Sequence, residues 1–360
     1  NYSVEVYFRC LKCKKDVENV ILIKTKGSIF LFFSIMKVIL PVAGFGSRLR
    51  PFTLTKPKCL LSIAGKTLIE HICDSFATLS VSRKILVVGS LSEKIYQFVK
   101  DKSWENVSLV EQNDPQGLAE AIALCDSLLD DNEPVLIILG DTLFKADLSI
   151  LASAETNILF TRVVDNPSRF GIVQKDESGR VVRLVEKPQE FISDEALVGI
   201  YYIKEVSRLR KALKFLLDNN IRTRGEFQLT DALQKMVEDG TEFRTAKLDA
   251  WLDCGTKEML LETNGTLLSE TQDSYDFPNS TIISPCFIGE NVEIVDSIVG
   301  PNVSIDNGAK ILSSKISNAL VGENSIVRNS EIKDAALGES VVLEDHKGSV
   351  FLGDYSQVLK

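Results

Sequence analysis

From Met36 onward, short apolar runs alternate with amphipathic stretches of helical period. The runs KVILPVA (37–43), KILVVGS (84–90), VSLVEQ (107–112) and PVLIILG (134–140) read as buried strands. Between them, KTLIEHICDSFATL (66–79), SEKIYQFVKD (92–101) and GLAEAIALCDSLL (117–129) carry apolar residues at helical spacing. Strands that alternate with helices of this length predict an α/β, doubly wound, largely parallel sheet. The stretch of roughly 155–255 adds the strand candidates TNILFTRVV, GIVQKD, RVVRLVEK and ALVGIYYI, with helices near 205–218 and 228–238. These are expected to extend the same sheet as mixed or antiparallel strands, giving one domain over 36–265.

Beyond Phe277 the texture changes. Ile288-Gly289-Glu290-Asn291-Val292, Val321-Gly322-Glu323-Asn324-Ser325 and Leu337-Gly338-Glu339-Ser340-Val341 share one frame, and Val299-Gly300-Pro301 and Leu352-Gly353-Asp354 are variants of it. Isoleucines and valines recur near multiples of six between them. This resembles the hexapeptide repeat of a left-handed parallel β-helix over 277–360, with aliphatics stacked inward and glycines at the corners.

Residues 1–35 connect to neither pattern. The chain opens on Asn1, while Met36 stands directly before the first core strand and reads as the natural start. The segment is therefore expected to be a non-native or poorly ordered extension. Its apolar stretch, 28–36, is too short to span a bilayer and lacks a small-residue cleavage pattern.

The net charge of −9 argues against a nucleic-acid backbone as partner, and nothing predicts a membrane partner. Seven cysteines scatter without framework spacing, which fits a reducing, cytoplasmic setting. Cys10 and Cys13 form the one close pair, and no second ligand pair follows that would complete a zinc site. Of the two histidines, His71 falls in a helical pattern and reads as packed or surface rather than catalytic, while His346 lies near the chain end.

Against this acidic background the cations Arg48, Arg50, Lys56 and Lys58 cluster just after the glycine loop Ala43-Gly44-Phe45-Gly46-Ser47, which itself ends an apolar strand. Glycines let successive N–H groups turn onto an anion, and the cations neutralise it. That combination calls for a polyphosphate. Neither of the common phosphate loops matches. The spacing Gly44-x-Gly46-Ser47-Arg48-Leu49-x-Pro51-x-Thr53-x-x-x-Pro57-Lys58 instead resembles the N-terminal motif of the sugar-1-phosphate nucleotidyltransferases. Further ordered motifs extend the likeness over about 36–260.

The resemblance implies a Rossmann-like mixed sheet of the nucleotide-diphospho-sugar transferase type. Long-form glucose-1-phosphate thymidylyltransferases, which add a C-terminal left-handed β-helix, are the most similar group. It implies attack of a sugar 1-phosphate on the α-phosphorus of a nucleoside triphosphate, with release of pyrophosphate. Ala43, Gly44, Gly46 and Ser47 would hold the triphosphate, with Arg48 and Lys58 as the catalytic cations. Ser47 stands where threonine is usual, and Cys59 and Thr67 where proline is. Gln112 and Gly117, in Glu111-Gln112-Asn113-Asp114-Pro115-Gln116-Gly117, match the base-recognition segment, whose form resembles thymidylyl- and uridylyltransferases. Asp141 and Asp253 match the carboxylates that bind Mg²⁺. Gly171, Glu186, Lys187 and Gly199 match the sugar-phosphate site, and Gly225-Glu226 also fits the pattern.

The expected partners are therefore a nucleoside triphosphate, with dTTP preferred, and a sugar 1-phosphate, with glucose 1-phosphate preferred. The β-helix adds an expectation of homo-oligomers. A UTP- or GTP-using paralogue remains an alternative, as do two readings of another class. One is a nucleotide-binding regulatory subunit. The other is a bifunctional acyltransferase, whose base could only be His346.

Overall fold

The computed structural model describes residues 20–21, 33–271 and 274–359. The extension expected at 1–35, including Cys10 and Cys13, lies largely outside them. Within it, Val20–Ile21 pairs antiparallel with Phe33–Ser34.

A nine-stranded sheet forms the centre of the molecule. Its first half is parallel: β1 (Met36–Pro41) lies between β2 (Val81–Val88) and β4 (Val135–Ile138), and β3 (Val107–Glu111) adds outside β2. A short strand, β5 (Thr142–Lys145), follows β4 outside this sheet. The second half reverses direction. The long strand β9 (Glu195–Ile203) runs antiparallel to β4, to β6 (Asn157–Val163) and to β7 (Gly171–Lys175), with β8 (Val181–Glu186) at the edge. β10 (Phe243–Lys247) pairs parallel with β6. The mixed sheet expected from the apolar runs is thus what forms.

Its central strands read as unbroken apolar runs because both faces are covered. Ile39, Ile85, Val87 and Ile137 pack under α3 (Leu118–Ala123), α4 (Val206–Asp218) and α5 (Leu229–Glu238). Val38, Leu40, Leu86 and Leu136 face α1 (Leu68–Ser75) and α2 (Ser92–Asp101). α3 is shorter than its pattern: the helix stops at Ala123, and a single 3₁₀ turn follows where Arg210 forks onto Asp126 at 2.6 and 3.0 Å.

After α6 (Lys257–Leu268) the chain stacks into short, all-parallel strands in two sheets, as a β-helix requires. Ile294, Ile311, Val327 and Leu343 align inward in successive coils. Two details differ from expectation. Contacts between successive coils join residues 17, 16 and 15 apart, shorter than three full hexapeptides. The corners are turned mainly by Asn, Asp and Ser at positive φ, such as Asn291, Ser313 and Asn329. Gly322 serves instead for close stacking, since a Cβ there would lie 2.3 Å from the Gly338 carbonyl of the next coil.

Serine hydroxyls tie the coils together: Ser297 Oγ accepts from Ser314 N at 3.0 Å, and Ser314 Oγ from Ser330 N at 3.1 Å. His346 N continues this column onto Ser330 Oγ at 3.1 Å. The backbone of His346 thus ends a structural ladder.

The coil stack does not stand apart from the sheet. Leu320 and Ala336 join Phe52, Leu61 and Leu260 in one apolar cluster. Asn264 Oδ1, on α6, accepts from Ala64 N at 2.9 Å and from Ser304 Oγ at 2.6 Å. Residues 51–65, which carry Lys58, are thereby held from both sides.

Candidate active site

The carboxyl ends of β1, β3 and β4 open onto a cavity of about 520 Å³. Ligands bind beyond such strand ends in open α/β sheets. Ala43, Gly44, Lys58, Gln112, Gly117 and Asp141 all line it, together with Pro115 and Glu226.

The glycine loop leaves β1 at its rim. Gly46 is left-handed (φ 58°), and its carbonyl accepts from Thr53 Oγ1 at 2.9 Å, which folds the loop back towards Lys58. A Cβ on Gly46 would lie 2.9 Å from Thr53 Cγ2 and 3.2 Å from Lys58 Cβ, so glycine is needed for the closure. Gly44 has open space around its Cα. Ser47 and Arg48 begin a 3₁₀ turn and are exposed, as is Arg50.

The two aspartates are brought together by a ribbon that neither motif announces. β5 pairs antiparallel with β11 (Ala250–Asp253), with Thr142 opposite Asp253. Asp141 and Asp253 therefore sit at one end of the ribbon. Asp141 is held in an ion pair, and Arg48 comes near Asp253. Lys58 Nζ donates to Asp141 Oδ2 at 2.8 Å. Arg48 reaches across to Gly255, where a Cβ would fall 2.8 Å from Asp253 Oδ1 and 3.1 Å from Arg48 Nη2.

Beneath them the Cys254 thiol is pushed up to about 12 by burial, with Lys58 opposing and both aspartates adding. Burial likewise holds the Cys59 thiol at about 12. Both side chains are buried in the apolar core. Among the described residues no three His, Cys, Asp or Glu side chains group to hold a metal. Two carboxylates are a fitting partial shell for a hard divalent cation that completes its ligands with water and phosphate oxygens.

At the other wall, Gln112 is buried at the end of β3. Gly117 takes φ 130°, and a Cβ there would lie 2.4 Å from the Phe227 carbonyl. Phe227 clasps this loop by its backbone, donating to Gln116 O at 2.8 Å and accepting from Ala119 N at 2.9 Å. Arg222 stacks over the Phe227 ring at 3.9 Å and donates to Gln116 Oε1.

The remaining motif residues gather on β7, β8 and β9. Thr230 donates to Glu186 Oε2 at 2.7 Å, and Gly171 lies against that pair, where a Cβ would be 3.0 Å from Glu186 Oε2. Lys187 stands on a left-handed turn (φ 45°) with its ammonium on Glu186 at 3.0 Å. Gly199 (φ 86°) touches Leu139 and Thr142, directly behind Asp141. The hydroxyl of the buried Tyr201 is pushed up by burial, then by the charges of Glu186 and Asp141. His71 Nε2 sits 2.9 Å from the Ile63 carbonyl, a packing role.

Sequence reasoning did not single out Phe227, which acts through its backbone, or Gly89, where a Cβ would lie 2.6 Å from the Ala43 carbonyl. A lone glycine at a strand end was the available signal for the latter.

Comparison with known proteins gives the chain a family. Residues 37–270 match the nucleotidyl transferase family. A glucose-1-phosphate thymidylyltransferase of Streptomyces antibioticus is 28% identical over 90% of this chain and 99% of its own length. The low-salt glycan biosynthesis nucleotidyltransferase Agl11 of Haloferax volcanii is 29% identical over 84% of this chain and 92% of its own. The bifunctional protein GlmU of Methanocaldococcus jannaschii is 31% identical over 65% of this chain and 55% of its own. Among solved structures, a UDP-glucose pyrophosphorylase complexed with UDP-glucose superposes with a TM-score of 0.56 at 23% identity, covering 66% of this chain and 100% of that one. Because that family match runs over most of the chain, from the first core strand to the end of the last helix, the chain is an enzyme of the nucleotidyl transferase family.

Proposed function

We propose that the enzyme transfers a thymidylyl group from dTTP to glucose 1-phosphate, forming a nucleotide-sugar and releasing pyrophosphate. The observation that carries this reading is the Lys58–Asp141 ion pair on the wall of a cavity that also holds Gln112 and Gly117, with Arg48 and Asp253 both close to Gly255. Full-length likeness to glucose-1-phosphate thymidylyltransferases supports the choice of substrates.

In this reading the backbone of Ala43, Gly44, Gly46 and Ser47 receives the triphosphate, and the base enters towards Gln112 and Gly117. Glu186 accepts from sugar hydroxyls, while Gly171 and Gly199 let the sugar approach the sheet. Lys187 turns from Glu186 towards the sugar's phosphate. The phosphate oxygen attacks the α-phosphorus in line with the departing pyrophosphate, so catalysis is positioning plus charge neutralisation. Arg48 and Lys58 stabilise the charge that develops on the leaving group. Asp141 and Asp253 would hold Mg²⁺, which neutralises phosphate charge when bound.

The test follows pyrophosphate release with dTTP, UTP, GTP, ATP and CTP, each against glucose-, mannose-, galactose- and N-acetylglucosamine 1-phosphate. The highest kcat/KM is expected for dTTP with glucose 1-phosphate. A clear preference for another pair would replace the substrates, and no release from any pair would remove the activity.

A further inference from the structure

Among the described residues, Gln112 is the one buried side-chain amide on the cavity wall. Its neighbour Glu120 stands on the first turn of α3. Gln112 Nε2 donates both to Glu120 Oε2 and to the Gly117 carbonyl, the latter at 3.3 Å. An ionised carboxylate and a backbone carbonyl can only accept. Turning the Gln112 amide over would therefore set its carbonyl oxygen against two acceptors inside a buried site, which costs the full penalty of unsatisfied groups. One orientation is permitted, and it leaves Oε1 for the cavity.

From this geometry we infer that Glu120 is a positioning residue that locks Gln112 so that the base meets a hydrogen-bond acceptor. The inference rests on the base entering at Gln112, as proposed above. A carbonyl at that point welcomes a ring N–H on the edge of the base. Thymine and uracil present one at N3, and guanine at N1. Cytosine and adenine present a ring lone pair instead, and two acceptors facing each other in a buried site repel. The lock thus separates ring-donor bases from ring-acceptor bases, and a site with a buried, committed hydrogen-bonding group discriminates more strongly than one that merely fits a shape.

Glu120→Gln tests the lock with nearly unchanged volume. A glutamine at 120 can donate as well as accept, so it leaves the Gly117 carbonyl, at the longer distance of 3.3 Å, as the single restraint against turning the Gln112 NH₂ towards the cavity. The measured quantity is the ratio of kcat/KM for dTTP to that for CTP, in wild type, Glu120→Gln and Glu120→Ala. The ratio of dTDP to CDP affinity, titrated directly, gives a readout independent of turnover. Wild type is expected to favour the thymine nucleotide. Both variants are expected to lower both ratios by about tenfold or more, the equivalent of one weakened hydrogen bond, with KM for the sugar 1-phosphate and the melting temperature unchanged. Ratios that stay at the wild-type value in folded variants overturn the lock while leaving the activity in place. A wild type that binds nucleotide with the expected ratios but releases no pyrophosphate overturns the activity and leaves the lock. If neither dTDP nor CDP binds, both fall.

Discussion

Gly117 concentrates much of the site's logic in a missing side chain. Its φ of 130° and the Phe227 carbonyl 2.4 Å from any Cβ leave no room for alanine. Gly117→Ala should therefore shift the base loop, because strain of this kind costs on the order of 1–3 kcal/mol. KM for dTTP is expected to rise at least about tenfold, with little change in KM for glucose 1-phosphate; steady-state kinetics with each substrate varied in turn would show a flat dTTP KM if this account of the loop is mistaken. Lys187→Ala should do the reverse, raising KM for the sugar phosphate more than for dTTP, since its ammonium lies on Glu186 rather than at Gln112 and Gly117. Both residues could be named as candidates from the sequence because each stands inside a local motif. Glu120 and Phe227 could not. One acts by constraining another side chain and the other through its backbone, and neither role selects a residue type that a spacing rule would notice.

At the level of elements, α1 is specified by its own first turn. Thr67 Oγ1 accepts from Glu70 N and Glu70 Oε2 accepts from Thr67 N at 2.9 Å, a complete capping box. Thr67→Ala is expected to cost about 1 kcal/mol, read as a lower denaturation midpoint with an unchanged slope; an unchanged midpoint would mean that packing of Leu68, Ile69 and Ile72 alone sets the helix. The strands of the sheet were readable because burial on both faces makes them uniformly apolar. The ribbon of β5 and β11 was not, since its two strands are short, partly polar and far apart in sequence, although it is what sets Asp253 beside Asp141. The β-helix was legible as stacked aliphatics but not in its turns. Its coils are shorter than three hexapeptides, so Asn, Asp and Ser take the corners and several glycines do the stacking.

Across the whole molecule, the β-helix is a support for the loop that carries Lys58. Thr55 Oγ1 donates to Asp354 at 2.6 Å, Ser62 Oγ to Asp306 at 2.9 Å, and Lys56 lies 3.6 Å from Glu339. Removing everything after Phe277 should therefore lower both the melting temperature and kcat, and should lower the association state if the coil stack also mediates self-assembly. Full kcat and stability in the truncated chain would show that the loop holds itself. The seam also titrates. Burial pushes the Asp306 carboxyl from 3.8 up to about 6, with Glu323 adding and Ser62 and Lys56 opposing. A carboxyl raised on folding contributes stability below its unfolded value and loses it as pH climbs through the folded one. Asp306→Asn, which keeps the acceptor for Ser62, should then match wild type near pH 4 and exceed its melting temperature above about pH 6; equal melting curves at both pH values would remove the seam's pH dependence. If the glycine loop and the aspartates beside it form the triphosphate site, Arg48→Ala must impair kcat for pyrophosphate release. At saturating dTTP, glucose 1-phosphate and Mg²⁺, the account predicts a fall of roughly 10²–10³-fold, the loss of one preorganised donor, with the fold intact. Near-normal turnover under those conditions would contradict it.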